Sequence, residues 1–283
     1  RLSVVGSGTF NPSTQSRVLN QGTVESGFSF SGTRFDNDGL VRVRAGQSFS
    51  ALFNGTHGGR FQGESGSTMS FGNFGQSGHS FLPGSSIASQ GTVVFARGTS
   101  QVAGGYIAER TIVGSPSADV RFSGTVDRLP LMTVSTGSSA TFETVAGVRV
   151  DRIELAGSAI LNTGLESAGG IAQLRGTGAG LSGSTALLVT ELLDMGGGAA
   201  VNVDIQGNLL WSGGRIAGTS QVSGTSTWID GARSLGGQFT SNTDTAWLAG
   251  NFVGWDGEFI NPAGRWVNLQ GDHGIASGTG RLV

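Results

Sequence analysis

Residues 211–283 divide at four tryptophans into the segments WSGGRIAGTSQVSGTST (211–227), WIDGARSLGGQFTSNTDTA (228–246), WLAGNFVGWDGEFINPAGR (247–265) and WVNLQGDHGIASGTGRLV (266–283). In the first three segments a glycine follows the tryptophan three positions later, and single large apolar residues come after it. A period of roughly 19 residues with about three short apolar groups is typical of a solenoid, a coil whose stacked turns bury one another. We therefore expect one interior column formed by Trp211, Trp228, Trp247 and Trp266.

A similar spacing recurs upstream, among the phenylalanines. Three pairs have a spacing close to this period: Phe10 and Phe30, Phe61 and Phe81, and Phe122 and Phe142. The fifth tryptophan, Trp255, falls outside the period, so we expect it on a different face and exposed to solvent.

The composition favours a folded repeat over a disordered chain. Glycine accounts for 51 of 283 residues, but mean hydropathy is near zero at +0.02 and there are 16 phenylalanines. Apolar residues that recur at a period can build a core, whereas a low-complexity disordered chain lacks them. The glycines suit tight corners, which need positive φ or a close backbone approach.

Two residue types are missing, and their absence excludes several chemistries. The sequence has no cysteine and no lysine, so all 17 residues counted as lysine or arginine are arginine. A P-loop, a Schiff base, a thiolate nucleophile, a cysteine-bound metal and a disulfide are therefore excluded. We expect no cofactor and no metal. The net charge of −2 argues against nucleic acid, and the sequence has no apolar run long enough to insert into a membrane.

Short alternating patches separated by Gly, Ser, Thr and Asn predict strands joined by tight turns. Leu40–Arg44 and Val201–Ile205 are examples. Residues 185–195 are compatible with a helix that ends at Gly196–Gly198, or with two strands of one turn. In a chain this rich in strands we favour the strands.

Two segments, Gly78–Phe95 and Leu209–Gly218, resemble the glycine-rich rungs of large bacterial surface proteins of the filamentous-haemagglutinin-like and autotransporter-passenger-like kind. The resemblance implies a right-handed parallel β-helix, secretion, and a stalk or adhesive role with a glycan or another cell-surface ligand. It implies no catalytic residue. We therefore expect an all-β, single-stranded right-handed parallel β-helix of about 14 turns of roughly 19–20 residues. It would form one continuous domain over residues 1–283.

The best candidate for catalysis is an acidic cluster near the carboxyl end. Asp256 and Glu258 would lie on the same side of a strand, with Arg265 and Asp272 nearby and Asp230 and Asp244 on adjacent coils. Enzymes with a β-helix that cleave polysaccharides assemble carboxylates and cations across coils in this way. The alternative interpretation is a solvated outer face, and we favour that one.

Three further patterns have a functional and a structural interpretation. The histidines His57, His79 and His273 lie far apart, and we interpret them as turn or surface residues. Asp36–Gly39 resembles the start of a calcium loop but lacks its later acidic ligand, so an Asx turn is favoured. Thr225–Thr227 and Thr243–Thr245 would stack on adjacent turns of an ice-binding face, but two rungs are too few to define one.

The sequence therefore predicts a noncatalytic, secreted or cell-surface β-solenoid that acts as a stalk, an adhesin passenger or a fibre subunit. A carbohydrate-active β-helix enzyme is the alternative, and an ice-binding solenoid comes after it. Neither Arg1–Val5 nor Arg281–Val283 looks like a solenoid cap. We expect either head-to-tail self-association through these ends or continuation in a longer solenoid.

Overall fold

The computed structural model describes residues 3–5, 8–10, 16–25, 27–72, 78–114, 117–143, 149–156, 160–163, 168–176 and 178–283. These residues form strands and turns, with no helix among them. The strands stack in parallel as a β-solenoid of about 12 turns, which confirms the predicted all-β solenoid class with somewhat fewer turns than expected. The chain divides into two compact units, Arg1–Val148 and Arg149–Val283. A single continuous domain stays a prediction.

In the first coils of unit 1, three short strands make one turn of the solenoid. Further along, longer strands such as β13 pass a corner without a break and shift register at a bulge between Ser89 and Thr92. The strands are β1 (Ser3–Val5), β2 (Gly8–Phe10), β3 (Arg17–Asn20), β4 (Thr23–Glu25), β5 (Phe28–Phe30), β6 (Arg34–Asn37), β7 (Leu40–Val43), β8 (Ser48–Ala51), β9 (Gly55–His57), β10 (Arg60–Gly63), β11 (Thr68–Phe71), β12 (His79–Phe81), β13 (Ser86–Phe95), β14 (Gly98–Val102), β15 (Gly105–Val113), β16 (Ala118–Phe122), β17 (Arg128–Val134) and β18 (Ser139–Phe142).

One column of paired residues shows how the coils of unit 1 stack. The step between consecutive members varies in length: it is shortest from Val24 to Val41 and longest from Phe61 to Ile87. From Val24 onward every member is buried, so this column forms part of the core. Its members are Val4, Val24, Val41, Phe61, Ile87, Tyr106 and Val126.

Unit 2 has fewer and longer strands in its first coils. Residues 185–195 lie within β22, so the segment is strand and not helix, but one continuous strand takes the place of the two that were expected. The strands are β19 (Arg149–Ala156), β20 (Ile160–Thr163), β21 (Ala168–Arg175), β22 (Gly180–Ile205), β23 (Asn208–Val222), β24 (Ser226–Trp228), β25 (Ala232–Ser241), β26 (Thr245–Trp247), β27 (Gly250–Trp255), β28 (Glu258–Ile260), β29 (Val267–Leu269), β30 (His273–Ile275) and β31 (Arg281–Leu282).

The tryptophan column is part of a longer inward column of unit 2. The rings of Trp211 and Trp228 are 5.5 Å apart, and those of Trp228 and Trp247 are 5.4 Å apart. Aliphatic and thioether side chains precede them and a leucine follows, so one row of apolar side chains crosses the unit. The column consists of Leu155, Leu174, Met195, Trp211, Trp228, Trp247 and Leu269.

Two expectations about tryptophans are wrong. Trp247 pairs with Leu269, whereas Trp266 lies just before β29 and is 74% exposed. The last step of the column is longer than the steps before it. One regular period after Trp247 therefore ends at Trp266, just before β29. Trp255 pairs with Leu235, in a different column as expected, but it is buried because its ring packs on Phe252 at 4.7 Å.

The glycine that follows each of the first three tryptophans forms a corner. Gly214, Gly231 and Gly250 have φ of 84°, 147° and 88°, a backbone region that residues other than glycine rarely adopt. A Cβ atom on Gly231 would lie 1.6 Å from the carbonyl oxygen of Ser212 on the previous coil. Corner geometry and close coil stacking therefore explain the repeated Trp-x-x-Gly spacing.

Of the three regularly spaced phenylalanine pairs, two are paired on adjacent coils of the structure. Phe10 pairs with Phe30, and Phe122 pairs with Phe142. Phe61 and Phe81 belong to different columns, since Phe61 pairs with Ile87 and Phe81 with His57. Both are buried, and their rings still meet at 5.7 Å across the core.

Candidate functional site

The acidic residues proposed for catalysis do not share a strand. Asp256 is exposed in the corner between β27 and β28, and Glu258 is the first residue of β28. Glu258 pairs with Arg281 of the next coil at 3.2 Å and accepts a hydrogen bond from Gln238 of the previous coil at 3.1 Å. The same-side placement was expected on condition that residues 256–258 form one strand, and that condition is not met, because a bend at Gly257 separates Asp256 from β28.

Two other members of that cluster, Arg265 and Asp272, are also exposed. Arg265 lies in the turn after Pro262, where its carbonyl oxygen accepts a hydrogen bond from Asn261. Asp272 precedes β30, and among the described residues neither side chain forms an ion pair. The structure therefore does not bring the two together with Glu258.

Among the described residues, the additional members on adjacent coils form no ion pair with the rest of the cluster either, although Asp244 lies next to Arg265. Asp230 is exposed in the turn before β25, and Asp244 accepts a hydrogen bond from the backbone N–H of Trp266. The cation that does reach Glu258, Arg281, was missed because it lies a full coil downstream. These residues form a solvated outer face, the interpretation favoured from the sequence.

The two Thr-x-Thr segments do not stack in register. Ser226 pairs with Thr245, and Thr227 pairs with Ala246. Ser226 and Thr245 both point into the core and are buried. Because the coil step here is longer than the spacing between the two segments, threonine is not aligned with threonine.

Asp36 and Asn37, the start of the proposed calcium loop, serve the fold. Asp36 is buried under Arg17 and Arg34 and accepts a hydrogen bond from the N–H of Thr56. Burial raises the pKa of Asp36, but these hydrogen bonds outweigh it and leave the pKa below its ordinary value. The Oδ1 of Asn37 accepts the N–H of Gly39, which confirms an Asx turn at this residue. No group of three potential metal ligands occurs in the described ranges.

His57 and His79 are not the turn or surface residues expected from the sequence but form a buried pair. Their rings are stacked with centroids 5.2 Å apart, and Nε2 of His57 is 2.9 Å from Nδ1 of His79. They meet because His57 leans across Gly55, the residue that pairs with His79. A Cβ atom on Gly55 would lie 2.6 Å from the imidazole of His57, so only glycine leaves room for the ring.

The third histidine, His273, is half-buried, and its ring lies 4.8 Å from that of Trp247. It therefore covers the end of the tryptophan column.

His57 belongs to a column that changes from polar to aromatic along unit 1. Asn20 donates a hydrogen bond to Oδ1 of Asn37 at 2.7 Å, and each of these asparagines also caps a glycine N–H two positions later. The Asn-x-Gly pattern repeated at Asn20 and Asn37 was the sequence signal for this ladder. The column consists of Asn20, Asn37, His57, Phe81, Val102, Phe122 and Phe142.

A polar groove of about 550 Å³ lies at the corner that follows this column. Its walls include the exposed side chains of Gln21, Asp38 and Arg60. Glycines from four successive coils also line it, so backbone is accessible between one acidic and one basic side chain. Such a surface can offer paired hydrogen bonds to a polyhydroxylated or zwitterionic ligand. The lining glycines are Gly22, Gly39, Gly58, Gly59 and Gly84.

Unit 2 buries a cation, Arg233, among aromatic rings. Its guanidinium carbon lies 5.9, 5.5 and 5.5 Å from the ring centres of Trp228, Trp247 and Phe252. It donates hydrogen bonds to the backbone carbonyls of Trp211, Ile229 and Ala249, whereas its Nε has no partner. Burial lowers the pKa of Arg233 to about 10, so the side chain remains charged at neutral pH.

An apolar cavity of about 580 Å³ opens at the last coil of unit 2. Trp228, Trp247, Trp255 and Phe259 line its inner part. Leu269, Ile275 and Leu282 line its outer part and are each more than half exposed. These three pair with the buried Trp247, Phe252 and Phe259, so they occupy inward positions of the solenoid.

Comparison of the chain with protein-family models, curated proteins and solved structures finds no match. The described residues include no helix long and apolar enough to cross a membrane.

Proposed function

We propose that this chain is a noncatalytic structural or adhesive β-solenoid, secreted or displayed at a cell surface. This proposal takes up the resemblance of Gly78–Phe95 and Leu209–Gly218 to repeats of the filamentous-haemagglutinin-like and autotransporter-passenger-like kind. In an adhesive role, the groove beside Asp38 and Arg60 is the surface that we assign to a glycan or another cell-surface ligand.

The observation that supports this proposal is the apolar face of the last coil. Leu269, Ile275 and Leu282 each stand where the previous coil has a buried aromatic residue. Burying each of them is worth about 1.5–3 kcal/mol, and the face also ends in unpaired strand edges. A surface with these properties favours the addition of another β-coil.

We propose that the added coil is β1–β3 of a second copy, which would give a head-to-tail assembly. The strands of the two coils are similarly spaced: two and six residues separate those of β1–β3, and three and five separate those of β29–β31. A heterologous contact of this kind need not close, so it would propagate into a fibre.

Light scattering across a concentration series, followed by negative-stain microscopy, tests this assignment. We expect the wild-type mass to rise with concentration and elongated particles to appear. Leu269→Asp with Leu282→Asp should give single chains, because two charges would be desolvated at the contact. Val253→Asp is the matched control, since Val253 is 49% exposed on an outward-facing position of β27.

Two results would count against the proposal. A wild-type chain that keeps the mass of one copy at the highest concentration would exclude the second copy as the occupant and leave a longer solenoid in its place. Turnover of a polysaccharide that is lost in Glu258→Ala would overturn the noncatalytic assignment.

A further inference from the structure

The hydrogen bonds of the histidine pair define where its protons lie. Nε2 of His79 is 3.1 Å from the carbonyl oxygen of Gly72, which can only accept, so this nitrogen carries a proton. In neutral His79, Nδ1 is then an acceptor, and Nε2 of His57 donates to it. The remaining nitrogen, Nδ1 of His57, is buried and has no partner. Burial lowers the pKa of both histidines and keeps the rings neutral, and the neutral pair already uses its only internal hydrogen bond.

The surroundings do little to stabilise a positive charge: the carbonyl oxygens of Gly72 and Ala51 and the carboxylate of Asp36 favour it at His79, but burial outweighs them. The ring of His57 lies 5.1 Å from Phe61 and 4.6 Å from Phe81, and that of His79 lies 5.5 Å from Phe71. The charged residues on the described strands that pack against the pair are Arg34 and Asp36 on β6 and Arg60 on β10. Arg60 is exposed, and the carboxylate of Asp36 is bound by Arg17 and Arg34.

Adding a proton gives the pair more N–H groups than it has acceptors. A first proton leaves an N–H on Nδ1 of His57 that faces an apolar cage without an acceptor. A second proton places two N–H groups against each other across the 2.9 Å contact. We propose that the His57–His79 pair is an acid-sensitive element of the first unit: proton uptake by the pair opens β9 and β12, so this part of the solenoid loosens in mildly acidic solution.

The direction of the pKa shifts agrees with this geometry. Burial lowers the pKa of His79 to about 4 and holds the pKa of His57 well below the ordinary value of 6.5. Below pH 6.5 the open chain therefore binds protons that the closed chain does not. The stability from the neutral pair is complete above about pH 6.5 and is lost as the pH falls towards 4.

Asp36 does not contribute in this range. Its pKa is lowered on folding, so the stability that it adds is lost only as the pH falls below about 3.8. The acid response between pH 6.5 and pH 4 therefore reports on the histidines.

Hydrogen exchange of the full chain, read by mass spectrometry, tests the proposal. Wild type and the variant His57→Phe/His79→Phe are compared at pH 7.5, 6.0 and 5.0, at equal pH so that intrinsic exchange chemistry cancels. Each histidine raises the opening constant by up to about tenfold per pH unit below 6.5. For peptides covering β9 and β12, we compare the ratio of the exchange rate in wild type to that in the double variant. We expect this ratio to be at least tenfold higher at pH 5.0 than at pH 7.5. The variant His273→Phe is the control and should behave like wild type.

A measurement on the wild type alone covers the case in which the double variant does not fold. Nitrogen-15 spectra of histidine-labelled protein should show both core histidines protonated only on Nε2 and unchanged on lowering the pH until the unit opens. Either of two results would overturn the proposal. One is a core histidine that gains a proton near pH 6.5 while β9 and β12 stay protected. The other is an exchange ratio between wild type and variant that is independent of pH.

Discussion

The two units bury a polar side chain in an aromatic core in opposite ways. In unit 1 the phenylalanine core encloses His57 and His79, which are neutral, and one nitrogen of His57 has no partner. In unit 2 the tryptophan core encloses Arg233, which is charged and donates to three backbone carbonyls. The difference lies in side-chain length: the arginine reaches three backbone carbonyls, whereas the two imidazoles together reach the carbonyl of Gly72 and leave Nδ1 of His57 without a partner.

This comparison shows what a solenoid core tolerates. A buried charge is acceptable where corner carbonyls and ring faces replace its water, here with the carboxylate of Asp230 also favouring the charged form. A buried titratable group without such partners is acceptable only while it is neutral. Unit 1 is therefore expected to respond to acid, and the buried charge of unit 2 is insensitive to pH near neutrality.

The largest effect should come from the tryptophan column itself. Trp228→Ala removes a ring that contacts Trp211, Trp247 and Phe259, and it should lower the free energy of unfolding by about 3–5 kcal/mol. Trp266→Ala should change it by less than about 0.5 kcal/mol, since Trp266 is exposed. Urea unfolding followed by far-ultraviolet circular dichroism measures both. If the two variants lost equal stability, that would contradict the register in which Leu269, and not Trp266, pairs with Trp247.

The contrast between these two tryptophans also shows how far the sequence could predict the fold. The period was readable where a corner glycine fixes each coil, as at Gly214, Gly231 and Gly250. It failed at Trp266, because the residues between β28 and β29 lengthen the last step of the column. A repeat pattern predicts columns only while the coil length stays constant.

The candidate sites were less predictable than the fold. His57 and His79 occupy different columns, and they meet only because Gly55 carries no side chain between them. Sequence spacing does not show a contact that depends on a missing side chain. Arg233 likewise looks like a surface residue in the sequence, because its burial depends on carbonyls of two neighbouring coils. For the acidic cluster, a bend at Gly257 interrupts the strand that the expected placement of Asp256 and Glu258 required.

Arg233 gives the next largest effect and tests the second half of the comparison. Arg233→Met keeps most of the volume but removes the hydrogen bonds to the carbonyls of Trp211, Ile229 and Ala249. We expect a loss of about 1–3 kcal/mol in urea unfolding at pH 7.5, because bonds from a charged donor are replaced by none. Arg215→Met, at an exposed position of β23, should have little effect. A stabilised Arg233→Met would mean that the cost of desolvating the cation exceeds its hydrogen bonds.

The smallest effects concern the outer faces, where each unit carries ion pairs between coils. In unit 1, Arg44 lies between Glu25 and Glu64 and is half exposed. Arg44→Gln should therefore cost less than about 1 kcal/mol, and 1 M salt should abolish the difference from wild type because it screens exposed charges.

In unit 2, Arg175 binds both carboxylate oxygens of Asp194, whose side chain is only 10% exposed. Within the part of the chain that the structure describes, removing the cation leaves that carboxylate with one long hydrogen bond, from Gln173 at 3.3 Å. Arg175→Gln should cost more than Arg44→Gln, about 1–2 kcal/mol, and should keep more of its effect in 1 M salt, because the carboxylate of Asp194 is less exposed than those of Glu25 and Glu64. Urea unfolding of both variants in low and high salt measures this. If the two lose equal stability and respond equally to salt, the burial of Asp194 has no energetic consequence, and the outer faces of the two units are equivalent.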